Sequence, residues 1–145
     1  MKLLWLTNFQ RNSHGSNLRV SYELLKRIVK IDQNLEIDIL GYMPNPFNKT
    51  SKSKMTNLGN ICTIHRIDKN EEPIDKIISY IKSNIVDIIV IFNNVFLSSQ
   101  IAYSIKKEFK EKNIKLICYV SIAYNYISDF NIVNLVNNSD QIIVP

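Results

Sequence analysis

DIIVIF, residues 87–92, is apolar without a break after its first residue, and most of it is β-branched. An unbroken run of this kind is typical of a strand that is covered on both faces, as strands of parallel sheets are. Covering both faces of a sheet requires helices on either side of it. The run therefore predicts an α/β architecture.

The segments that flank this run have helical periodicity. Before it, Pro73 opens a helix whose apolar residues recur at helical spacing. This stripe comprises Ile74, Ile77, Ile78, Ile81 and Ile85. After it, Ser98 or Ser99 is suited to cap a second helix. The inward face predicted for that helix comprises Ile101, Ala102, Ile105 and Phe109.

The rest of the chain continues the alternation of strands and helices. Further strands are predicted at Leu3–Thr7, Leu35–Leu40, Ile61–Ile67, Lys115–Val120 and Gln141–Val144. A helix follows Gly15, with Ser16 or Asn17 as its cap and its inner face formed by Leu18, Tyr22, Leu25 and Val29. A short helix at Asp129–Asn138 is expected to turn Phe130, Val133 and Val136 inward. The polar segment Met43–Asn60 is predicted to be a long loop.

The resulting order is β-α-β-β-α-β-α-β-α-β over 145 residues, which is the length of one domain. Strands that alternate with helices predict a Rossmann-like, doubly wound domain. We expect a mainly parallel six-stranded sheet in the order 3-2-1-4-5-6, with helices on both faces.

Composition argues against several classes of protein. The net charge of +5 is concentrated in Asn48–Lys54 and Lys106–Lys115, and the second reads as a solvated helix face, so no nucleic-acid partner is expected. Cys62 and Cys118 lie in apolar runs and are expected to be buried free thiols. His14 and His65 are too isolated for a zinc site, so no metal is expected, and His65 is interpreted as structural.

The apolar segment at residues 1–6 is too short for a signal peptide, and no apolar run is long enough to span a bilayer. We therefore expect a cytoplasmic protein.

In a doubly wound sheet, ligands bind beyond the carboxyl ends of the strands, where the strand order reverses. Three polar loops meet there, beginning at Asn8, Asn93 and Ser121. Gly15 precedes a helix start and suits an anion site, although a simple turn is an equal alternative. Tyr124 could stack on a sugar ring or fill the rim, and Asn93 and Asn94 could bind hydroxyls or form a turn.

Nucleotide-binding signatures are missing. Only Gly15 follows the first strand where GxGxxG needs three glycines, no Walker A pattern occurs, and the acidic residues of a receiver domain are not there. These absences count against dehydrogenase, NTPase and receiver functions. Apart from His14 and Asp129, the predicted crevice has few side chains that could act as a general acid or base near neutral pH, so catalytic residues stay unassigned.

Three stretches together resemble the N-terminal domain of retaining GT-B glycosyltransferases of the group 1, or family 4-like, kind. KLLWLTNFQRNSHGSNLRVSYELLKRI (2–28) resembles the opening strand, glycine-containing loop and first helix. DIIVIFNNVF (87–96) resembles the fourth strand and its loop. KLICYVSIAYNYISDFNIVNLVNNSDQIIVP (115–145) resembles the fifth strand through the strand that ends the domain.

The resemblance implies hexosyl transfer from a nucleotide sugar to an unknown acceptor, without a metal or other cofactor. Gly15, Ser16 and Asn17 would face the donor diphosphate. The acceptor side would be formed by Asn8, His14, Asn93, Asn94, Ser121, Tyr124 and Asn125. The donor domain of such enzymes would be missing here, so this chain alone is expected to lack turnover. The histidine that the family often carries after its fourth or fifth strand has no counterpart.

A non-catalytic module that binds a nucleotide, a sugar or a partner protein is the alternative. A flavodoxin-like or receiver-type regulator is a third possibility, but it lacks its phosphate loop or acidic pair.

Overall fold

A computed structural model describes residues 1–7, 9, 16–43, 57–120 and 128–144 of the chain. The strands are β1 (Lys2–Thr7), β2 (Glu36–Gly41), β3 (Thr63–Arg66), β4 (Ile88–Asn93), β5 (Lys115–Val120) and β6 (Gln141–Ile143). The helices are α1 (Ser16–Ile31), α2 (Pro73–Ser83), α3 (Val95–Glu108) and α4 (Asp129–Asn138). Residues 57–59 add one helical turn.

The six strands form one sheet in the order β3-β2-β1-β4-β5-β6. Each of the five strand pairs is parallel. The strand order, the parallel sheet and the α/β class predicted from the sequence are confirmed. The central strand β4 is buried from Ile89 to Asn93, as its unbroken apolar sequence predicted.

Helices cover both faces of the sheet. On one face, Leu18 and Leu25 of α1 pack in a core cluster with Trp5, Ile39 and Val90. On the other face, residues of α2, α3 and α4 pack in a second cluster around Leu4, Leu6, Ile89, Ile91 and Leu116. Successive residues of β1 and β4 alternate between the two clusters because side chains alternate along a strand.

Several local predictions are corrected. β3 begins at Thr63 and not at Ile61, because the backbone N–H groups of Ile61 and Cys62 bond to the carbonyl of Leu58 in the preceding turn. The apolar stripe of α2 stops at Ile81, since the helix ends at Ser83 and Ile85 is 83% exposed. β6 ends at Ile143, one residue earlier than predicted.

The start of α3 is also corrected. Neither Ser98 nor Ser99 is its cap, because Asn94 occupies that position and its side chain accepts a hydrogen bond from the backbone N–H of Leu97. Both serines lie inside the helix and are fully buried. The predicted inner face, Ile101, Ala102, Ile105 and Phe109, is buried as expected.

Helix α4 is oriented opposite to the prediction. Phe130, Val133 and Val136 were expected to face inward but are 77%, 57% and 56% exposed. Leu135 is the buried residue of this helix. The inward positions next to α3 are occupied by asparagines, as Asn131 bonds to the Ser99 hydroxyl.

Both cysteines are free thiols. Cys118 is buried in β5, and Cys62 lies half-buried just before β3, where its Sγ is 3.2 Å from the carbonyl oxygen of Leu58. Burial raises the pKa of Cys62 to about 12 and that of Cys118 to about 11. None of the helices in the described ranges combines the length and hydropathy that crossing a bilayer requires.

Candidate functional site

The sheet has its switch point between β1 and β4. These strands are neighbours, with Thr7 in register with Phe92. The chain leaves β1 for α1 on one face and leaves β4 for α3 on the other. Doubly wound domains bind their ligands beyond the carboxyl ends of two such strands, where the strand order reverses.

On the β1 side, a buried chain of hydrogen bonds joins the strand to α1. The indole Nε1 of Trp5 donates to the Ser21 hydroxyl over 2.9 Å. That hydroxyl lies 3.4 Å from Thr7 Oγ1 and donates to it. Thr7 and Ser21 are both fully buried, so these bonds fix the amino-terminal half of α1 against the end of β1.

On the β4 side, two asparagines shape the start of α3. Asn93 is 2% exposed, and its Oδ1 accepts a hydrogen bond from the backbone N–H of Asn94 over 3.0 Å. The Oδ1 of Asn94 accepts from the backbone N–H of Leu97 over 2.9 Å. An asparagine cap of this kind satisfies one of the free N–H groups at a helix start.

At this end of the sheet, two buried polar atoms, Asn93 Nδ2 and Ser98 Oγ, have no hydrogen-bond partner among the residues that the structure describes. With Asn94 as the cap, Asn93 precedes the cap and Ser98 is the fourth helical residue. Side chains at these two positions commonly pack against each other as an apolar staple. Here both positions hold polar residues, and both residues are buried.

An unpartnered buried polar group is costly, so such groups in native proteins call for an explanation. Asn93 Nδ2 can only donate, and Ser98 Oγ can donate or accept. Together they suit an oxygen-bearing ligand or an ordered water at the switch point. The positive end of the α3 dipole lies at the same place.

The predicted site residues are only partly within the described chain. Asn17 lies half-buried in the first turn of α1, which contains no acidic residue. Asn93 and Asn94 lie at the end of β4, as described. Outside the described residues are Asn8, His14, Gly15, Ser121, Tyr124 and Asn125, together with the side chain of Ser16. Residues 44–56 of the predicted long loop are also outside them, whereas Leu58 near its end is buried.

Sequence reasoning missed Thr7, Ser21 and Ser98. Thr7 could have been identified from the sequence, because it is the polar residue that ends an apolar strand. Ser98 would have been recognised as the fourth helical residue had Asn94 been identified as the cap. Ser21 has no such signal, because only the packing of α1 on the sheet brings it to Trp5 and Thr7.

A second polar cluster lies nearer the amino ends of the strands, around the carboxylate of Asp38. Lys2 Nζ lies 2.8 Å from Asp38 Oδ2, and the Tyr80 hydroxyl donates a hydrogen bond to the same oxygen. His65 Nε2 lies 3.5 Å from this oxygen without forming a hydrogen bond. The imidazole packs edge-on to the Tyr80 ring at 4.9 Å between centroids, so His65 has a packing role.

The electrostatics of this cluster follow from those contacts. Burial alone would raise the pKa of Asp38, but the hydrogen bonds from Lys2 and Tyr80 and the charge of Lys2 outweigh it and lower that pKa. The bond to Asp38 raises the pKa of Lys2, and burial raises the pKa of Tyr80 to about 12. Lys2 and Tyr80 therefore satisfy the Asp38 carboxylate, and we interpret the cluster as a structural contact that joins β1, β2 and α2.

No protein-family model matches this sequence, and a search of curated proteins finds no significant similarity. The structure itself defines the class: a parallel, doubly wound α/β domain of the Rossmann-like type, with its switch point between β1 and β4.

Proposed function

We propose that this chain is the acceptor-side, N-terminal domain of a GT-B glycosyltransferase that moves a hexosyl group from a nucleotide sugar to an acceptor. The resemblance over residues 2–28, 87–96 and 115–145 suggests this family. The observation that carries the proposal is the pair of unpartnered buried groups, Asn93 Nδ2 and Ser98 Oγ, at the switch point.

Carbohydrates suit such a site because they present hydroxyl oxygens that both donate and accept hydrogen bonds. In the proposal, Asn93 and Ser98 bind an acceptor hydroxyl, and Asn94 contributes the amide nitrogen that its capping role leaves available. The first turn of α1 would face the donor diphosphate. Its lack of acidic residues leaves the positive end of the helix dipole uncompensated by its own side chains.

The alternative, a non-catalytic sugar- or nucleotide-binding module, is favoured by the chemistry of the described groups. At the carboxyl ends of β1 and β4, the described polar side chains are neutral: Thr7, Asn93, Asn94 and Ser98. Such groups bind and orient a ligand, whereas general acid–base catalysis needs a titratable group. The family supplies its donor-binding groups largely from a second domain, so we expect these 145 residues to bind without turnover.

The test is a thermal-shift and calorimetric screen of this chain against nucleotide sugars, the parent nucleotides and free hexoses. A ligand that binds the folded state alone raises the melting temperature. The informative variant is Ser98→Ala, and the matched control is Ser104→Ala, which removes an exposed hydroxyl that bonds within α3.

We expect a sugar or nucleotide sugar to stabilise the wild type and the Ser104→Ala control, with about tenfold weaker binding by Ser98→Ala. Equal affinity of all three proteins would contradict this site. Tight binding of a plain nucleotide, or robust hexosyl transfer by this chain alone, would contradict the acceptor-domain proposal.

A further inference from the structure

The amino end of α3 has open hydrogen-bond donors. A helix start leaves four backbone N–H groups without a partner inside the helix. Two of them are satisfied here, since the N–H of Asn94 bonds to Asn93 Oδ1 and that of Leu97 bonds to Asn94 Oδ1. Within the described part of the chain, nothing accepts a hydrogen bond from the other two, which belong to Val95 and Phe96. Two backbone donors therefore remain open at this helix start.

The side chain of Asn93 adds a buried donor at the same place. Its Oδ1 is bonded to the N–H of Asn94, so the Nδ2 of the same carboxamide is held at the start of α3. Asn93 is 2% exposed, and its Nδ2 has no partner among the described residues. An amide nitrogen can only donate, and a buried donor without an acceptor is costly. The missing partner is therefore an oxygen acceptor.

The helix dipoles favour negative charge at this point. α3 has no acidic residue in its first turn that would offset the positive end of its dipole. The first turn of α4 lies alongside, because Asn131 is bonded to the Ser99 hydroxyl of α3. α4 does carry an acidic residue in its first turn, Asp129, but that side chain is exposed. The net charge of the whole chain is +5.

The balance of donors and acceptors distinguishes an anionic oxygen from a neutral hydroxyl. A hydroxyl has a proton of its own to donate, and the carboxamide oxygens of Asn93 and Asn94 are already engaged in hydrogen bonds. A phosphate or carboxylate oxygen only accepts. Hydrogen bonds to such an oxygen are roughly twice as strong as those between neutral groups. Open donors beside engaged acceptors therefore favour the anion.

We propose that the switch-point site binds an oxyanion of the acceptor, a phosphate or carboxylate group, through the backbone N–H groups of Val95 and Phe96 and through Asn93 Nδ2. This inference rests on the proposed function, because it names the substrate class of the same site, an acidic sugar. Nδ2 carries two hydrogens, so one of them and the Ser98 hydroxyl remain for a neighbouring hydroxyl of that sugar.

The test is a proton–nitrogen correlation NMR titration of the full chain with inorganic phosphate, glucose 6-phosphate, glucuronate and glucose. We expect the anionic ligands to shift the backbone amide signals of Val95 and Phe96 and the side-chain amide signals of Asn93. Glucose 6-phosphate or glucuronate should bind at least about tenfold more tightly than glucose. The tighter of these two ligands identifies the oxyanion as phosphate or carboxylate.

Two variants test the position of the anion. Phe96→Asp places a carboxylate on an exposed residue beside the open N–H groups, where the helix dipole favours it, so the protein should stay folded while anion binding weakens at least about tenfold. Asn93→Asp keeps an oxygen for the N–H of Asn94 but replaces the donor with a negative charge, and it should have the same effect. The matched control, Gln100→Glu, adds the same charge at an exposed position farther along α3 and should bind nearly as the wild type does. Far-ultraviolet circular dichroism of each variant shows that it is folded.

The outcomes separate this inference from the proposed function. Equal binding of glucose and glucose 6-phosphate at these amides would overturn the anion inference and leave the proposed sugar site standing. Anion binding that survives Phe96→Asp, signal shifts confined to Lys106–Lys115, or no response to any of these ligands would also overturn it. Phosphate binding that Phe96→Asp abolishes, together with tight binding of a plain nucleotide, would support the anion site and contradict the acceptor-domain proposal.

Discussion

Ser98 and Ser99 are adjacent, fully buried serines of α3 with opposite hydrogen-bonding states. The Ser99 hydroxyl donates to the Phe96 carbonyl over 2.8 Å and lies 3.1 Å from Asn131 Oδ1. Within the described part of the chain, the Ser98 hydroxyl has no hydrogen-bond partner. Replacing each in turn with alanine removes the same atom from nearly the same depth, so the pair isolates the effect of the hydrogen bonds.

Ser98→Ala should be neutral or stabilising, by about 0–2 kcal/mol, because it removes a buried hydroxyl whose loss of hydration nothing offsets. Ser99→Ala should destabilise by about 1–3 kcal/mol, because it removes the hydrogen bond of the Ser99 hydroxyl and the contact with Asn131 that attaches α4 to α3. The two variants should therefore differ by about 3 kcal/mol in the free energy of unfolding. Alanine also favours helix over serine in both cases by a similar small amount, which cancels in the comparison.

Urea unfolding followed by the fluorescence of Trp5, the single tryptophan and 2% exposed, measures this difference. At a slope of about 2 kcal/mol per molar urea, the midpoints should lie about 1.5 M apart. A Ser98→Ala variant destabilised by about 1 kcal/mol or more would refute the reasoning, since it would show that an ordered water or another group satisfies Oγ. The hydroxyl would then not be available to a ligand, and the observation behind the proposed site would be lost.

Three further outcomes are expected from the packing and electrostatics. Lys2→Met leaves the buried Asp38 carboxylate without its cation and should cost about 2–4 kcal/mol in urea unfolding at pH 7. Asp38→Asn should cost less, because the group it leaves without a partner, the Lys2 ammonium, is partly exposed. Since the folded-state pKa of Asp38 is lowered, the stability it contributes is present above the ordinary carboxyl pKa and is lost as pH falls through the folded value. The gap between wild type and Lys2→Met should therefore shrink below about pH 4, and a constant gap would argue against the ion pair. Ile89→Ala, at a fully buried position in the centre of β4, should cost about 2–5 kcal/mol by thermal or urea unfolding, and a cost under about 1 kcal/mol would contradict its core position. Cys62 and Cys118, with thiol pKa values raised to about 12 and about 11, should react slowly with iodoacetamide at pH 8 in the folded protein and rapidly in urea, and fast labelling of native Cys118 would show that β5 opens.

The candidate site could be found from the sequence only in outline. The position of the switch point follows from strand order, and Asn93 is the residue that follows DIIVIF. The hydrogen bonding of the Asn93 side chain cannot be predicted from the sequence, because whether Oδ1 and Nδ2 have partners depends on where α3 begins. The choice between Asn94 and Ser98 or Ser99 as the cap moved the helix start by four or five positions. That choice decided that Ser98 lies buried beside the end of β4.

The sequence by itself determined the parallel sheet, its strand order and the burial of β4. It could do so because a strand covered on both faces must be apolar throughout, which is a local property of residues 88–92. Only the tertiary structure decided which side of α4 faces the protein. That helix has apolar residues around most of its circumference and asparagines at positions 131, 134 and 138, so its own periodicity favours no single face. The surface that α4 meets on α3 presents the hydroxyl and carbonyl of Ser99. Asn131 and Asn134 form hydrogen bonds with these groups, so Phe130 and Val133 face outward.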